Sequence, residues 1–194
     1  MIRTTRQAFR AAVLAVVATV LAATLGACSG DDSDPEPEGS GASAAEEADP
    51  GVPTTASIER VTGKLRRERR APLRRQVTKA FDAWVDAAYL GDGKQQFAVF
   101  SKDAARLARR DRLMSNAALR DRFGTVTATD RKLRIDVLAV KGRAVGVTGR
   151  FVLVLELEGD DASRTDRIVG RLLMRRAGHG WQVFGYQVKR GKVA

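Results

Sequence analysis

Apolar residues recur along the chain in two rhythms, a helical one in the first half of the domain and an alternating one in the second. Leu73, Val77, Phe81, Trp84 and Ala88 step by four, four, three and four, which draws one stripe along a helix. Pro72 suits the first residue of that helix, because its missing N–H would have no partner there. Gly91-Asp92-Gly93 is a stop signal. Upstream, Ile58, Val61 and Leu65 also recur at helical spacing, so residues 58–71 read as a basic helical lead-in that Pro72 interrupts. Ser101 is placed to cap a helix from Lys102 to Arg112 with Asp103 in its first turn, and Asn116 to cap a short helix ending before Gly124.

After that the period changes to two. Leu133, Ile135 and Val137 alternate with Arg134 and Asp136, and Val145, Val147, Phe151, Leu153, Leu155 and Leu157 share one parity. A three-residue loop at Lys141-Gly142-Arg143 sets Val137 opposite Val147 and Leu133 opposite Phe151, whereas a two-residue loop would set Leu133 against Arg150. The same logic at Gly178-His179-Gly180 pairs Met174 with Phe184, Leu172 with Tyr186 and Gly170 with Val188.

An antiparallel sheet of at least four strands is therefore expected, with the helices on its concave face, an α+β arrangement. A strand running from Ala144 to Glu158 would reach about 50 Å if straight and so must bend. Gly146, Gly149, Gly170 and Gly185 are the positions that permit curvature or bulges.

The first 57 residues carry none of these patterns. Arg3, Arg6 and Arg10 precede a run of fifteen mostly apolar residues, Ala11 to Leu25, which is shorter than the roughly 20 residues a membrane span needs. Leu25-Gly26-Ala27-Cys28 follows and resembles a bacterial lipoprotein signal, so 1–27 is expected to be cleaved and Cys28 to carry diacylglycerol. Cys28 is the only cysteine, and an unmodified thiol there would have no partner in the chain. The resemblance places the protein on the outer face of the cytoplasmic membrane, where paired acyl chains hold stably and a single chain binds only marginally.

Residues 28–57 contain eight acids, no Lys or Arg, and little that could form a core, so an extended acidic linker is expected, reaching from about 30 Å to about 100 Å. The charge balance then reverses. Of 34 basic residues only the three signal arginines precede Ile58, leaving 31 against the remaining 15 acids.

Phe81-Asp82-Ala83-Trp84, Tyr89-Leu90-Gly91-Asp92 and the closing run Gly180-Trp181-Gln182-Val183-Phe184-Gly185-Tyr186 are similar to the nuclear transport factor 2-like (SnoaL-like) cone domain. The nearest resemblance is to actinobacterial lipoproteins that place such a cone behind a lipobox, and it covers roughly Pro72 to Arg190 of a cone domain expected at 72–192. That family includes isomerases, cyclases and dehydratases as well as non-catalytic binding modules, and its enzymes use an Asp or His with a Tyr inside the cone. The resemblance thus implies two alternatives, a ligand- or partner-binding domain and a cone-fold enzyme acting on a small hydrophobic substrate.

The residues themselves favour binding. His179, the only histidine, falls at a hairpin tip between two glycines. Asp86 points away from the apolar stripe, and Asp82 lies at its margin within reach of Lys79 for a surface ion pair. Asp136 faces away from the core, diagonal to Arg150 across the hairpin. With Cys28 used as the anchor and one histidine left, no cysteine/histidine zinc site or Cys-His nucleophile can be built, and no phosphate-binding glycine loop occurs, so neither metal nor cofactor is expected.

Tyr186 and Trp84 face the predicted interior and are the candidate ligand-lining residues. The register argues against a carboxylate beside Tyr186. Arg66, Arg67, Arg69, Arg70, Arg74 and Arg75, with Lys64 and Lys79, form a basic segment at the start of the domain. For an exported protein the natural partner is anionic lipid or wall polymer rather than nucleic acid, at ~1 kcal/mol per cation near a charged surface.

Overall fold

The computed structural model describes residues 52–119, 122–178 and 180–193. Cys28, the signal sequence, most of the acidic linker and His179 lie outside the described residues.

The architecture is α+β, a five-stranded mixed sheet with helices against one face. Strands β1 (Thr55–Thr62), β2 (Thr125–Val140), β3 (Arg143–Gly159), β4 (Ala162–Ala177) and β5 (Gly180–Lys192) lie side by side in sequence order. β2 to β5 form the expected antiparallel meander. β1 corrects two expectations at once: residues 55–62 are a strand rather than a linker end followed by a helix, and that strand runs parallel to β2. A parallel neighbour requires a long crossover, and the helices between β1 and β2 supply it.

A bulge explains the misleading spacing. Ile58 pairs with Ile135, but Arg60 pairs with Asp136, so Glu59 is the extra residue and Ile58 and Val61 reach the same face despite a step of three. The content of Thr, Ile and Val suits a strand. β1 ends at Gly63, whose φ of 89° and contact with the Ala139 backbone leave no room for a side chain.

Helix α1 (Arg70–Val85) starts two residues before Pro72, after a 3-10 turn at Arg67–Arg69. Pro72 thus occupies the first turn, where its lacking N–H costs no hydrogen bond. Leu73, Val77, Phe81, Trp84 and Ala88 are all buried, as the stripe requires. The chain leaves α1 through a π-helical turn, Asp86–Leu90, closed by the Gly91 N–H on the Asp86 carbonyl. Helix α2 (Lys102–Ala108) is capped by Ser101, whose hydroxyl accepts from the Ala104 N–H at 3.3 Å. It ends earlier than the pattern suggests, and 3-10 turns at Arg112–Met114 and Ala117–Leu119 follow.

Leu133 faces Phe151, Val137 faces Val147, Leu172 faces Tyr186 and Gly170 faces Val188, as the patterning demands. The loops that produce this register differ from expectation. Val140 pairs with Arg143, so the turn is the two residues Lys141-Gly142, both at positive φ, and a bulge at Val145 restores the parity. In the last hairpin Ala177 pairs with Gly180 and Met174 with Val183, not Phe184. Phe184 is the bulged residue and stands 48% exposed, while Trp181 and Val183 fill the core. In both hairpins a tight turn plus one bulge does the work of a three-residue loop.

The centre of the core is aromatic. The Trp84 ring contacts Phe81, Tyr89, Phe100 and Phe151 at centroid distances of 5.4–6.0 Å, mostly edge to face. Leu133, Leu153, Leu155 and Ile168 close the space around them from the sheet.

Candidate functional site

Trp84 therefore belongs to the filled interior, with its Nε1–H buried and unpartnered among the described residues. Tyr186 is half-buried on β5, with its ring 6.3 Å from Phe100. Its hydroxyl meets the Asp111 carboxylate, and desolvation followed by that negative charge raises the phenol pKa. A carboxylate thus does stand beside Tyr186, contrary to the expectation from register, because Asp111 comes from the segment after α2 rather than from the sheet. Asp111 also caps the next turn, accepting from the Leu113 N–H at 3.0 Å. Ala104, Leu107, Arg110, Phe184 and Gly185 complete an open groove of about 440 Å³ around the pair.

Asp82 and Asp86 converge on a residue that the sequence reading passed over. Arg131 shares the parity of Leu133 and Ile135 and is only 4% exposed on the core side of β2. Its Nη1 donates to Asp86 at 2.8 Å and lies 4.0 Å from Asp82. Asp82 also accepts from the Thr54 hydroxyl at 2.5 Å, so the expected Lys79 partnership gives way to a clamp joining the residue before β1, helix α1 with the turn after it, and β2. Burial raises the Asp82 pKa; the Thr54 hydrogen bond and Arg131 lower it, and Asp86 raises it further. The Nε and Nη2 of Arg131 have no hydrogen-bond partner among the described residues. Thr54, Arg74, Arg75, Thr78, Lys79 and Asp82 border the open groove above this clamp.

A second buried ionic group ties β4 and β5 to the loop after α2. Asp166 is 1% exposed, and one oxygen accepts from Arg164 Nη2 and from Arg190 Nε, each at 2.6 Å. Arg190 Nη2 continues to the Asn116 side-chain oxygen at 2.8 Å, and the Asn116 amide donates to the Tyr89 carbonyl at 3.0 Å. Asn116 is therefore a buried crosslink rather than the expected helix cap. The Tyr89 hydroxyl donates to the Leu113 carbonyl at 2.6 Å, and its burial pushes the phenol pKa up. Asp166, Asn116 and Tyr89 are buried and the Arg190 side chain is only 10% exposed, each turned onto another part of the domain, so the role of this group is structural.

The basic segment faces solvent. Arg66, Arg67, Arg69, Arg70, Arg74 and Arg75 are all exposed, as are Lys64 and Lys79. Within it only Arg66 makes a salt bridge among the described residues, at 3.8 Å to Glu68. The β2–β3 turn lies against the same region: Lys64, Arg66, Arg70, Val140 and Lys141 border one open groove, and Arg69, Arg143, Val145 and Arg176 border another. Val140 and Val145 are exposed apolar residues set among these cations. Asp136 meets Arg150 at 3.2 Å, the cross-strand pair that the register anticipates.

Comparison with known proteins finds no match to a family model, to a curated protein or to a solved structure. The chemistry of these surfaces therefore has to be read from their own residues.

Proposed function

We propose that the chain is a lipoprotein held to the outer face of the cytoplasmic membrane by acyl chains on Cys28, and that its α+β domain, a nuclear transport factor 2-like cone, binds rather than catalyses. The observation that carries the binding part is the exposure of Arg66, Arg67, Arg69, Arg70, Arg74 and Arg75 with a single salt bridge among them. Cations left without carboxylate partners beside exposed Val140 and Val145 suit an anionic headgroup layer, which accepts charge at its surface and apolar side chains just beneath it. The attraction acts near contact, since the Debye length in physiological salt is about 8 Å, and a membrane tether supplies that proximity. The enzymatic alternative draws its support from Tyr186 and Asp111. Asp111 is already engaged by the Leu113 N–H, and the core around Trp84 is filled by aromatic rings, so binding is the better-supported reading.

Two measurements test this. Mass spectrometry of the mature chain should find Cys28 blocked and diacylated, and a free thiol there would overturn the anchor. Separately, a full chain carrying Cys28→Ser should co-sediment with phosphatidylglycerol-containing vesicles but not with pure phosphatidylcholine, and should lose that binding at high salt. Binding that survives replacement of Arg66, Arg67, Arg69 and Arg70 by Gln would remove the basic segment from the account.

A further inference from the structure

The face of the sheet turned away from α1 carries a row of arginines. Arg134 on β2 pairs in register with Arg150 on β3, Arg150 pairs with Arg171 on β4, and Arg171 pairs with Gln187 on β5. All three arginines are exposed. Neighbouring strands lie about 4.8 Å apart, so the backbone positions of the three arginines stand in one line spanning about 10 Å. Like charges placed directly opposite one another destabilise a sheet. The row is only partly compensated: Asp136 pairs with Arg150 at 3.2 Å, Arg171 Nε donates to the Gln187 side chain at 2.9 Å, and Arg134 has no salt bridge among the described residues. The next row along the strands adds Lys132 and Lys189 at its ends, with Val152 and Val169 between them.

We infer that this row is a binding site for a linear, phosphate-bearing polyanion laid across the strands. Guanidinium groups offer forked donors that match phosphate oxygens, and a line of them matches a chain of phosphates better than any single anion. The surroundings favour a narrow chain over a flat bilayer. Asp136, paired with Arg150, lies one row to one side, and Asp130, paired with Lys132 at 2.6 Å, lies two rows to the other, with Glu156 and Glu158 three and four rows away. A planar anionic surface would therefore also cover carboxylates that a single polymer strand along the arginine row avoids. The site is separate from the Arg66–Arg75 segment, which lies on the helix side of the domain, and does not depend on that segment's role.

The test uses the purified full chain and linear inorganic polyphosphate as probe, with orthophosphate and phosphatidylglycerol vesicles as comparison arms. The triple variant Arg134→Gln, Arg150→Gln, Arg171→Gln should bind polyphosphate at least tenfold more weakly, with the log-log salt slope shallower by about 2–3. Relief of the like-charge contacts and loss of the Arg150–Asp136 pair and the Arg171–Gln187 hydrogen bond act in opposite directions on its stability, so its melting is measured beside binding. A charge-matched variant on and just after α2, Lys102→Gln, Arg106→Gln, Arg109→Gln, should keep polyphosphate affinity within about twofold. Should the triple variant fold poorly, Arg134→Gln with Arg171→Gln leaves the Arg150–Asp136 pair intact and should still show most of the loss. Equal losses from the two triple variants would reduce the effect to net charge and overturn the site. So would unchanged polyphosphate binding, binding of orthophosphate as tight as that of the polymer, or a loss confined to vesicles.

Discussion

Phe151 on β3 sits directly opposite Gly170 on β4, and a Cβ on residue 170 would stand 3.0 Å from two atoms of the Phe151 ring and against the Gln187 carbonyl. The same ring meets Phe81 at 5.5 Å and Trp84 at 5.4 Å, so Gly170 makes the space into which the helix layer's aromatic contacts fit. Gly170→Ala should destabilise the domain by about 1–3 kcal/mol in urea unfolding. An unchanged midpoint would show that the ring does not depend on that space.

The ionic group around Asp166 makes a larger prediction. Asp166→Asn removes the charge that both Arg164 and Arg190 share, leaving two cations, one of them largely buried, without compensation. The expected cost is about 3–5 kcal/mol, read by chemical denaturation. A loss below about 1 kcal/mol would mean that the arginines find solvent or other acceptors.

Asp82 gives the clamp a pH signature. Because burial raises its pKa in the folded state, the protonated form is favoured there. Its contribution to stability is therefore full below its ordinary value of 3.8 and is lost as pH rises through the higher folded value. Asp82→Asn does not titrate at that position, so the stability of the parent relative to this variant should fall between pH 3 and pH 7. Paired urea titrations across that range measure the difference, and a difference that grows with pH would reverse the assignment.

Lys141 occupies the first position of the β2–β3 turn at φ 48°, a left-handed conformation that lysine adopts at some cost. Lys141→Asn, followed by the existing Gly142, restores the residue pair that such turns favour. It should raise stability by up to about 1 kcal/mol in thermal unfolding, while a loss would show that the lysine side chain makes a contact worth more than the strain.

Much of this fold can be read from one sequence, and the misreadings of the strands share one cause. The stripe from Leu73 to Ala88 and the pairing of Leu133 with Phe151 follow from periodicity alone, because burial on one face leaves no other register open. Bulges break that logic. At Glu59 one extra residue turns a strand's step of two into a step of three, so β1 imitates a helix and its parallel seating goes unseen. At Phe184 the same device turns an apparent core residue outward. The buried charges were accessible in principle: Arg131 shares the parity of Ile135, and Asp166 that of Ile168, but parity places a side chain without naming its partner. Arg134 beside Arg150 is implied by the first hairpin alone. The third member, Arg171, needs the β3–β4 register, which nothing in the loop at Asp160-Asp161 dictates unaided.

The spare residues at Val145 and Phe184 also set how the chain tolerates insertions and deletions. Excising either one would leave an ordinary hairpin with every inward side chain beyond it still inward, whereas removing a neighbour from the regular ladder would turn the rest of that strand inside out. Length variation among homologues should therefore gather at these two points.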